Sequence, residues 1–290
     1  MIVLGSPVIK QNNLTNQLLE SLARTVKDPE NFEFVIIDNS KEPHYNIEDY
    51  DEKYPFGVSI LRNHKNEGFY YPLSQLDLAF KGNLKGLVHN DVIFYEEGWD
   101  LRLAQAFEND SQLGLVGLCG SYEIDAAGGR GSGTMCYFRG EKGQNQAAGL
   151  RITDVRPALL LDSLFMMFRE EVIPFLDINQ DIAPCHFYDK IWCCKTLEHG
   201  WRIAVLGSEI DHMGGQTAVG EPEYDDFAKE WCDARGLDYY NHVAQSGMTE
   251  IGYNPGLAVY LEAERRFLSE YRDEKRFLPC QVDKDYNISR

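Results

Sequence analysis

The sequence predicts an α/β fold with a mostly parallel central sheet flanked by helices, followed by a helical C-terminal extension. Three observations carry this expectation. Residues 2–4 are a short apolar strand; Leu14, Leu18, Leu19 and Leu22 then recur at helical spacing; residues 32–37 are a second buried strand. Strand, helix and strand within about 35 residues make a βαβ unit, and such units imply a parallel sheet. Further along, apolar runs ending in polar residues alternate with helical patterns.

The elements follow in order. Gly5-Ser6-Pro7 breaks the first strand, and the helix covers about 13–26. Val58, Ile60 and Leu61 mark a third strand. Residues 71–80 read as a helix with Leu73, Leu76 and either Ala79 or Phe80 on one face. Residues 86–89 are the next strand, 101–107 a helix and 113–118 another strand. From 120 to 149 the texture changes: Gly128, Gly129, Gly131 and Gly133 cluster with little periodicity. That segment reads as a long lid or acceptor loop. It holds no G-x-G-x-x-G leading from a strand into a helix, so a dinucleotide fingerprint is not expected. Residues 158–168 are strongly apolar and read as one strand. After His212 the chain turns polar and helical, which places a boundary between a domain at 1–217 and an extension at 218–290.

Composition narrows the function. Of 290 residues, 43% are hydrophobic, enough for a sizeable core. No apolar run approaches the ~18 residues of a membrane span, and Met1-Ile2-Val3-Leu4-Gly5 has no basic segment, so it reads as a strand and not a signal peptide. The net charge of -18 repels nucleic acid, so no such partner is expected. It equally repels a nucleotide diphosphate, whose site would need a local cation. Seven cysteines, with Cys193 and Cys194 adjacent, suggest free thiols in a reducing, cytoplasmic setting. A zinc site from Cys185, His186, Cys193 and Cys194 fits poorly, because the spacing is not C-x-x-C and a helical run spreads the ligands.

Ligands of open α/β sheets bind outside the carboxyl ends of the strands. Asp38 and Asp91 both stand at such ends. Asp38, in Ile37-Asp38-Asn39-Ser40, suits a base N–H, a ribose hydroxyl or a cation, and equally an Asx turn. Asp91 follows His89 and Asn90; carboxylate and imidazole together begin a metal site, or are plain loop polarity. His212, just past the strand at 201–206 and before Gly214-Gly215, is a second ligand candidate or a structural histidine. Asp189, in His186-Phe187-Tyr188-Asp189, opens a helix that Gly200 closes. There it serves either as a general base or as a cap.

Together these segments resemble the inverting family 2 glycosyltransferases of GT-A (Rossmann-like) fold, near a subgroup with an F-H-F-Y-D signature. The resemblance covers roughly residues 1–217. Val35-Ile36-Ile37-Asp38-Asn39 matches the family's early strand, Asn66-Glu67-Gly68-Phe69 its N-x-G-F segment and His89-Asn90-Asp91 its D-x-D motif. Tyr188-Asp189 through Gly200 matches its acidic segment before a helix, and His212 its late histidine. The resemblance implies transfer of a sugar from a nucleotide diphosphate donor, a UDP-sugar by family frequency, to a glycan, lipid-linked or other hydroxyl acceptor. It gives Asp38, Ser6, Asn66 and Asn90 to the nucleotide and Asp91 with His212 to a divalent ion. A histidine ligand tilts that ion toward Mn²⁺ over Mg²⁺. Asp189 becomes the base of a single inverting displacement. Asp162, at the end of the Leu159-Leu160-Leu161 run, either faces the sugar or is a buried, satisfied polar residue. The chain departs from the family at His89, which replaces the first acid of D-x-D and is itself a candidate ligand, and at Ile191, where many relatives carry a second acid.

Two other readings stay open. A nucleotidyltransferase acting on sugar phosphates would want a basic, glycine-rich loop near the N-terminus, which Gly5-Ser6-Pro7 does not supply. A non-catalytic sugar- or nucleotide-binding module would have no need of Asp189.

Overall fold

The computed structural model describes residues 1–125, 129–130, 132–140, 149–176, 187–214, 229–230, 233–234, 236 and 279–289. Gly128, Gly131, Cys185, His186, Gly215 and most of the expected extension at 218–290 lie outside them. In chain order the strands begin with β1 (Ile2–Val8), β2 (Phe32–Asp38), β3 (Gly57–Arg62), β4 (Leu84–Val88), β5 (Val92–Phe94) and β6 (Leu113–Gly117). They continue with β7 (Cys119–Ser121), β8 (Glu123–Ile124), β9 (Thr134–Cys136), β10 (Leu150–Arg151), β11 (Val155–Ala158) and β12 (Leu160–Leu161). Last come β13 (Phe165–Arg169), β14 (Arg202–Leu206), β15 (Ile210–His212), β16 (Cys280–Val282) and β17 (Ile288–Ser289). The described α-helices are α1 (Asn12–Thr25), α2 (Tyr70–Ala79), α3 (Trp99–Asn109) and α4 (Tyr188–Glu198).

The central sheet runs β11-β14-β6-β13-β4-β1-β2-β3. The strands β1 to β4 are mutually parallel, β14 is parallel to β6, and β13 is antiparallel to both β4 and β6. Only β13 and the edge strand β11 oppose the rest, so the sheet is mostly parallel, as expected. Helices cover both faces. Along β1, Val3 packs in one core with Leu73, Leu76 and Trp192 of α2 and α4. Its neighbours Leu4 and Val8 pack in the other, with Leu18, Leu22, Trp99 and Leu103 of α1 and α3. Alternation along a strand covered on both sides explains its continuous apolar run. α1 buries Leu18, Leu19 and Leu22, the residues whose spacing predicted it.

Three expectations are corrected. Gly5-Ser6-Pro7 does not break the first strand: β1 continues through them to Val8, in parallel register with β2, and Gly5 pairs with β4 on the other side. The glycine-rich stretch is no single loop: β7 and β9 lie within it and join β10 and β12 in a second sheet, ordered β10-β9-β7-β12. Residues 158–168 are not one strand either. β11 ends at Ala158, β12 is two residues long, and β13 starts at Phe165 after a turn in which Asp162 Oδ1 accepts the Leu164 N–H at 3.1 Å. An apolar run reports burial, and burial continues through a change of sheet. The last described segment, β16 and β17, is a strand pair docked on β8.

A two-stranded ribbon of β5 and β15 stands off the central sheet, with His212 opposite Val92. On its far side the Asp211 carboxylate accepts the Tyr95 hydroxyl at 3.0 Å and the Gly140 N–H at 2.7 Å.

Candidate active site

β1 lies where the strand order reverses, with β2 and β3 on one side and β4 on the other. The crevice at such a reversal is where open α/β sheets hold ligands. Across it the loops after β1 and β4 touch: Asn90 Nδ2 donates to Gln11 Oε1 at 3.4 Å. Lys10 and Gln11 both adopt left-handed backbone conformations there (φ 54 and 60), an uncommon state for non-glycine residues. A cavity bounded by Ile2, Leu84 and Phe107 sits instead at the amino ends of β1 and β4.

On the β2 side, the polar residues serve one another. Asp38 is buried, and its carboxylate accepts backbone N–H groups from Ser40 (3.1 Å), His44 (2.9 Å) and Tyr45 (3.4 Å). Its register neighbour Arg62 lies 3.6 Å away. Asp38 therefore organises its own loop, the Asx-turn alternative. Asn39 bridges the next loop, donating to the Gly68 carbonyl at 3.1 Å and to Asn66 Oδ1 at 3.4 Å. Asn66 Oδ1 also takes the Gly68 N–H at 2.9 Å. Ser6 has no accessible surface, and its hydroxyl has no partner; by strand alternation it stands on the β1 face shared with Leu4 and Val8. Direct contact between Ser6 and a ligand does not fit this position.

On the β4 side, side chains converge. His89 and Asp91 sit in the turn joining β4 to β5, and His212 ends β15, which pairs with β5. His212 Nε2 lies 3.3 Å from Asp91 Oδ1 and 3.4 Å from His89 Nδ1. All three donor atoms lie within 4.8 Å of one another. Metal–ligand bonds of about 2.1 Å place neighbouring donor atoms roughly 3.0–3.4 Å apart, so the spacing fits a cation. Burial drives the His89 imidazole down to about 4, so it is neutral at pH 7. Burial also pulls His212 down, but Asp91 outweighs it through hydrogen bond and charge, and the net shift is upward. Burial would raise Asp91, yet the two histidines hold it below the usual carboxylate range.

Asp189 is not the cap of α4. Phe187 takes that position with a left-handed backbone (φ 62), and Asp189 lies in the first turn, its Oδ1 accepting the Lys190 N–H at 2.8 Å. Burial, reinforced by the charge of Asp162, raises its pKa to about 6; the Lys190 N–H and charge and the Arg130 guanidinium pull the other way. Asp162 pairs with Arg130 at 2.6 Å. Burial would raise the Asp162 carboxyl, but Arg130, His212, His89 and the Leu164 N–H together outweigh it and the net shift is downward.

Sequence reasoning missed two members of this cluster. Arg130 was hidden in the glycine-rich stretch, 32 positions from its partner Asp162. Tyr188 was in plain view beside Asp189, but its contact, Oη to His89 Nε2 at 3.3 Å, spans 99 positions. Cys193 and Cys194 are buried in α4, and the Cys193 sulfur accepts the Leu161 N–H at 3.2 Å.

The profile described as "Glycosyltransferase like family" matches residues 81–242, more than half of the chain and the part that carries these groups. The chain belongs to this family. No curated protein matches the transferase. Among solved structures, S. aureus TarS is 15% identical with a TM-score of 0.51, over 80% of this chain and 39% of that one. The transferase therefore spans well under half of the TarS chain. GalNAc-T7 with UDP, GalNAc and Mn²⁺ is 12% identical with a TM-score of 0.58, over 96% of this chain and 58% of that one. The mannosyltransferase PcManGT from Pyrobaculum calidifontis, in complex with GDP-Man and Mn²⁺, is 10% identical with a TM-score of 0.54, over 93% and 70%. At these identities the likeness speaks for the fold, which is GT-A. Among the described residues, no helix is long and apolar enough to cross a membrane.

Proposed function

We propose that the protein transfers a sugar from a nucleotide diphosphate sugar, with a UDP-sugar favoured, to a hydroxyl acceptor, with inversion and with dependence on a divalent ion. The observation that carries this is the convergence of His89, Asp91 and His212 at the carboxyl end of β4, with Asp189 at the start of α4 linked to them through Tyr188. GalNAc-T7 with UDP and Mn²⁺ and PcManGT with GDP-Man and Mn²⁺ share the fold and support the reading.

Asp91, His212 and His89 would hold Mn²⁺, or Mg²⁺. When bound, the ion supplies Lewis-acid neutralisation of the departing diphosphate. A chain of net charge -18 has particular need of such a cation. Asp189 takes the proton of the acceptor hydroxyl. A carboxylate whose pKa has risen to about 6 is a better base than an ordinary aspartate and is still mostly ionised at pH 7. The freed oxygen attacks the anomeric carbon from the face opposite the diphosphate. The bond to the diphosphate breaks with its electron pair, and the configuration inverts. Asn90, Gln11 and the loop held by Asp38 and Asn66 form the nucleotide side of the crevice. The Arg130–Asp162 pair faces the sugar. Residues 1–217 constitute the transferase domain and 218–290 an appended segment. The free cysteines suit a reducing, cytoplasmic setting.

A thermal-shift panel of UDP, GDP, dTDP and CDP, each with Mn²⁺ and with EDTA, tests the reading. UDP with Mn²⁺ is expected to stabilise most, by about 2.7 kcal/mol at 100 times its Kd. Equal shifts in EDTA for every nucleotide that binds would remove the ion from the mechanism.

A further inference from the structure

The metal ligands and the base are carried by different elements, and one side chain joins them. Tyr188 is the first residue of α4, directly before Asp189. It is buried, its ring stacks on Phe69 (5.0 Å between centroids, 10° between planes), and Trp192 meets it edge-on at 4.9 Å. Phe69 also lies 5.1 Å from the His89 ring. The two rings are therefore held in place, and the Tyr188 hydroxyl faces His89 Nε2 at 3.3 Å.

A neutral imidazole has one N–H and one bare nitrogen, and the partner of one nitrogen decides the state of the other. His89 Nδ1 is the nitrogen that faces His212, which in turn faces Asp91. A proton on Nδ1 would block a cation there. A proton on Nε2, accepted by a fixed oxygen, leaves the Nδ1 lone pair free for the centre.

We propose that Tyr188 is a positioning residue for the ion: its hydroxyl accepts the Nε2–H of His89 and so makes His89 Nδ1 a third ligand beside Asp91 and His212. The proposal rests on the metal-dependent reading of the site. It explains how this chain works without the first acid of the D-x-D motif, since an imidazole held by a tyrosine occupies that position. It also gives a set of two imidazoles and one carboxylate, which suits Mn²⁺ better than Mg²⁺. Because Tyr188 and Asp189 share the first turn of α4, filling the centre and placing the base become one event.

The test is calorimetric titration of the full chain with Mn²⁺ alone, for wild type, Tyr188→Phe, His89→Gln and the double variant, with melting temperatures alongside. Tyr188→Phe keeps the ring stack and is expected to weaken Mn²⁺ about 10–100-fold, the usual effect of losing an outer partner of a ligand. The double variant is expected to bind no more weakly than His89→Gln, because the hydroxyl acts only through His89. Pulsed EPR of the wild-type Mn²⁺ complex is expected to show nitrogen couplings from two imidazoles. A lowered melting temperature with unchanged Mn²⁺ affinity in Tyr188→Phe, additive losses in the double variant, or a single imidazole on the wild-type ion each overturn the proposal alone. A wild-type chain that binds no Mn²⁺ overturns the metal-dependent reading and this proposal together.

Discussion

The two walls of the crevice are both polar, yet they differ in where their polar groups point. On the β2 side, Asp38, Asn39 and Asn66 bond to the loops that carry them, and Ser6 is sealed beneath. On the β4 side, His89, Asp91 and His212 aim at a common point, and Asp189 is held with a raised pKa. A carboxylate that accepts three backbone N–H groups lowers the energy of the fold. The groups of the other wall bond to one another across the chain: Asp91 to His212 at 3.3 Å, His212 to His89 at 3.4 Å and His89 to Tyr188 at 3.3 Å. Strand-end position does not separate these cases; the direction of hydrogen bonding does.

The largest test of the contrast is Asp189→Asn. It is expected to lower kcat ~10²–10⁴-fold while leaving the donor Kd unchanged, read from transfer assays and calorimetry. In wild type the base must be ionised, so the rate falls as pH drops through about 6. Stability runs the other way. The folded-state pKa lies above the ordinary value of 3.8, so the folded chain holds that proton more tightly. Its contribution is full below about pH 4 and is lost as pH rises to about 6. Removing the charge should then stabilise the variant by about 1–3 kcal/mol at pH 7 and by almost nothing at pH 4. A variant that keeps more than roughly a tenth of kcat takes Asp189 out of the chemistry.

Asp38→Ala should invert that pattern. Its loss leaves buried N–H groups of residues 40–45 without an acceptor, at about 1–3 kcal/mol. The expected reading is a lower melting temperature, with weaker donor binding only as the loop loosens. Normal melting together with lost nucleotide binding would move Asp38 to the functional wall.

The smallest effect is expected from Ser6→Ala. Removing a buried hydroxyl without a partner should leave stability unchanged or raise it by up to about 1 kcal/mol, with donor affinity untouched. Weaker donor binding at unchanged stability would show that the hydroxyl reaches the ligand after all.

What could be read from the sequence follows the range of the interactions. Leu18, Leu19 and Leu22 announced α1, because helical period is a local signal. Asp91 and His212 stood out because polar residues right after buried strands sit at the sheet's edge. Asp189 was found at a helix start, but the left-handed Phe187 that takes the cap position was not foreseen. The Arg130–Asp162 pair and the Tyr188–His89 contact depend on strand order, which no local pattern carries. For Asp38 the strand-end rule found the right place and could not tell which way the side chain would bond, and Ser6, which only the family resemblance pointed to, is buried.

The Asp211 carboxylate gives the β5–β15 ribbon a further meaning. Successive strand residues face opposite sides, so a slip of one position would carry Asp211 to the inner face and turn His212 outward. A misaligned ribbon would still be a ribbon, with a carboxylate where an imidazole belongs. The bonds from Tyr95 and Gly140 to Asp211 make that slip costly, since they would be broken in burial. Asp211 thus acts as a proofreading pin: a residue outside the cluster keeps His212 facing Asp91 and His89.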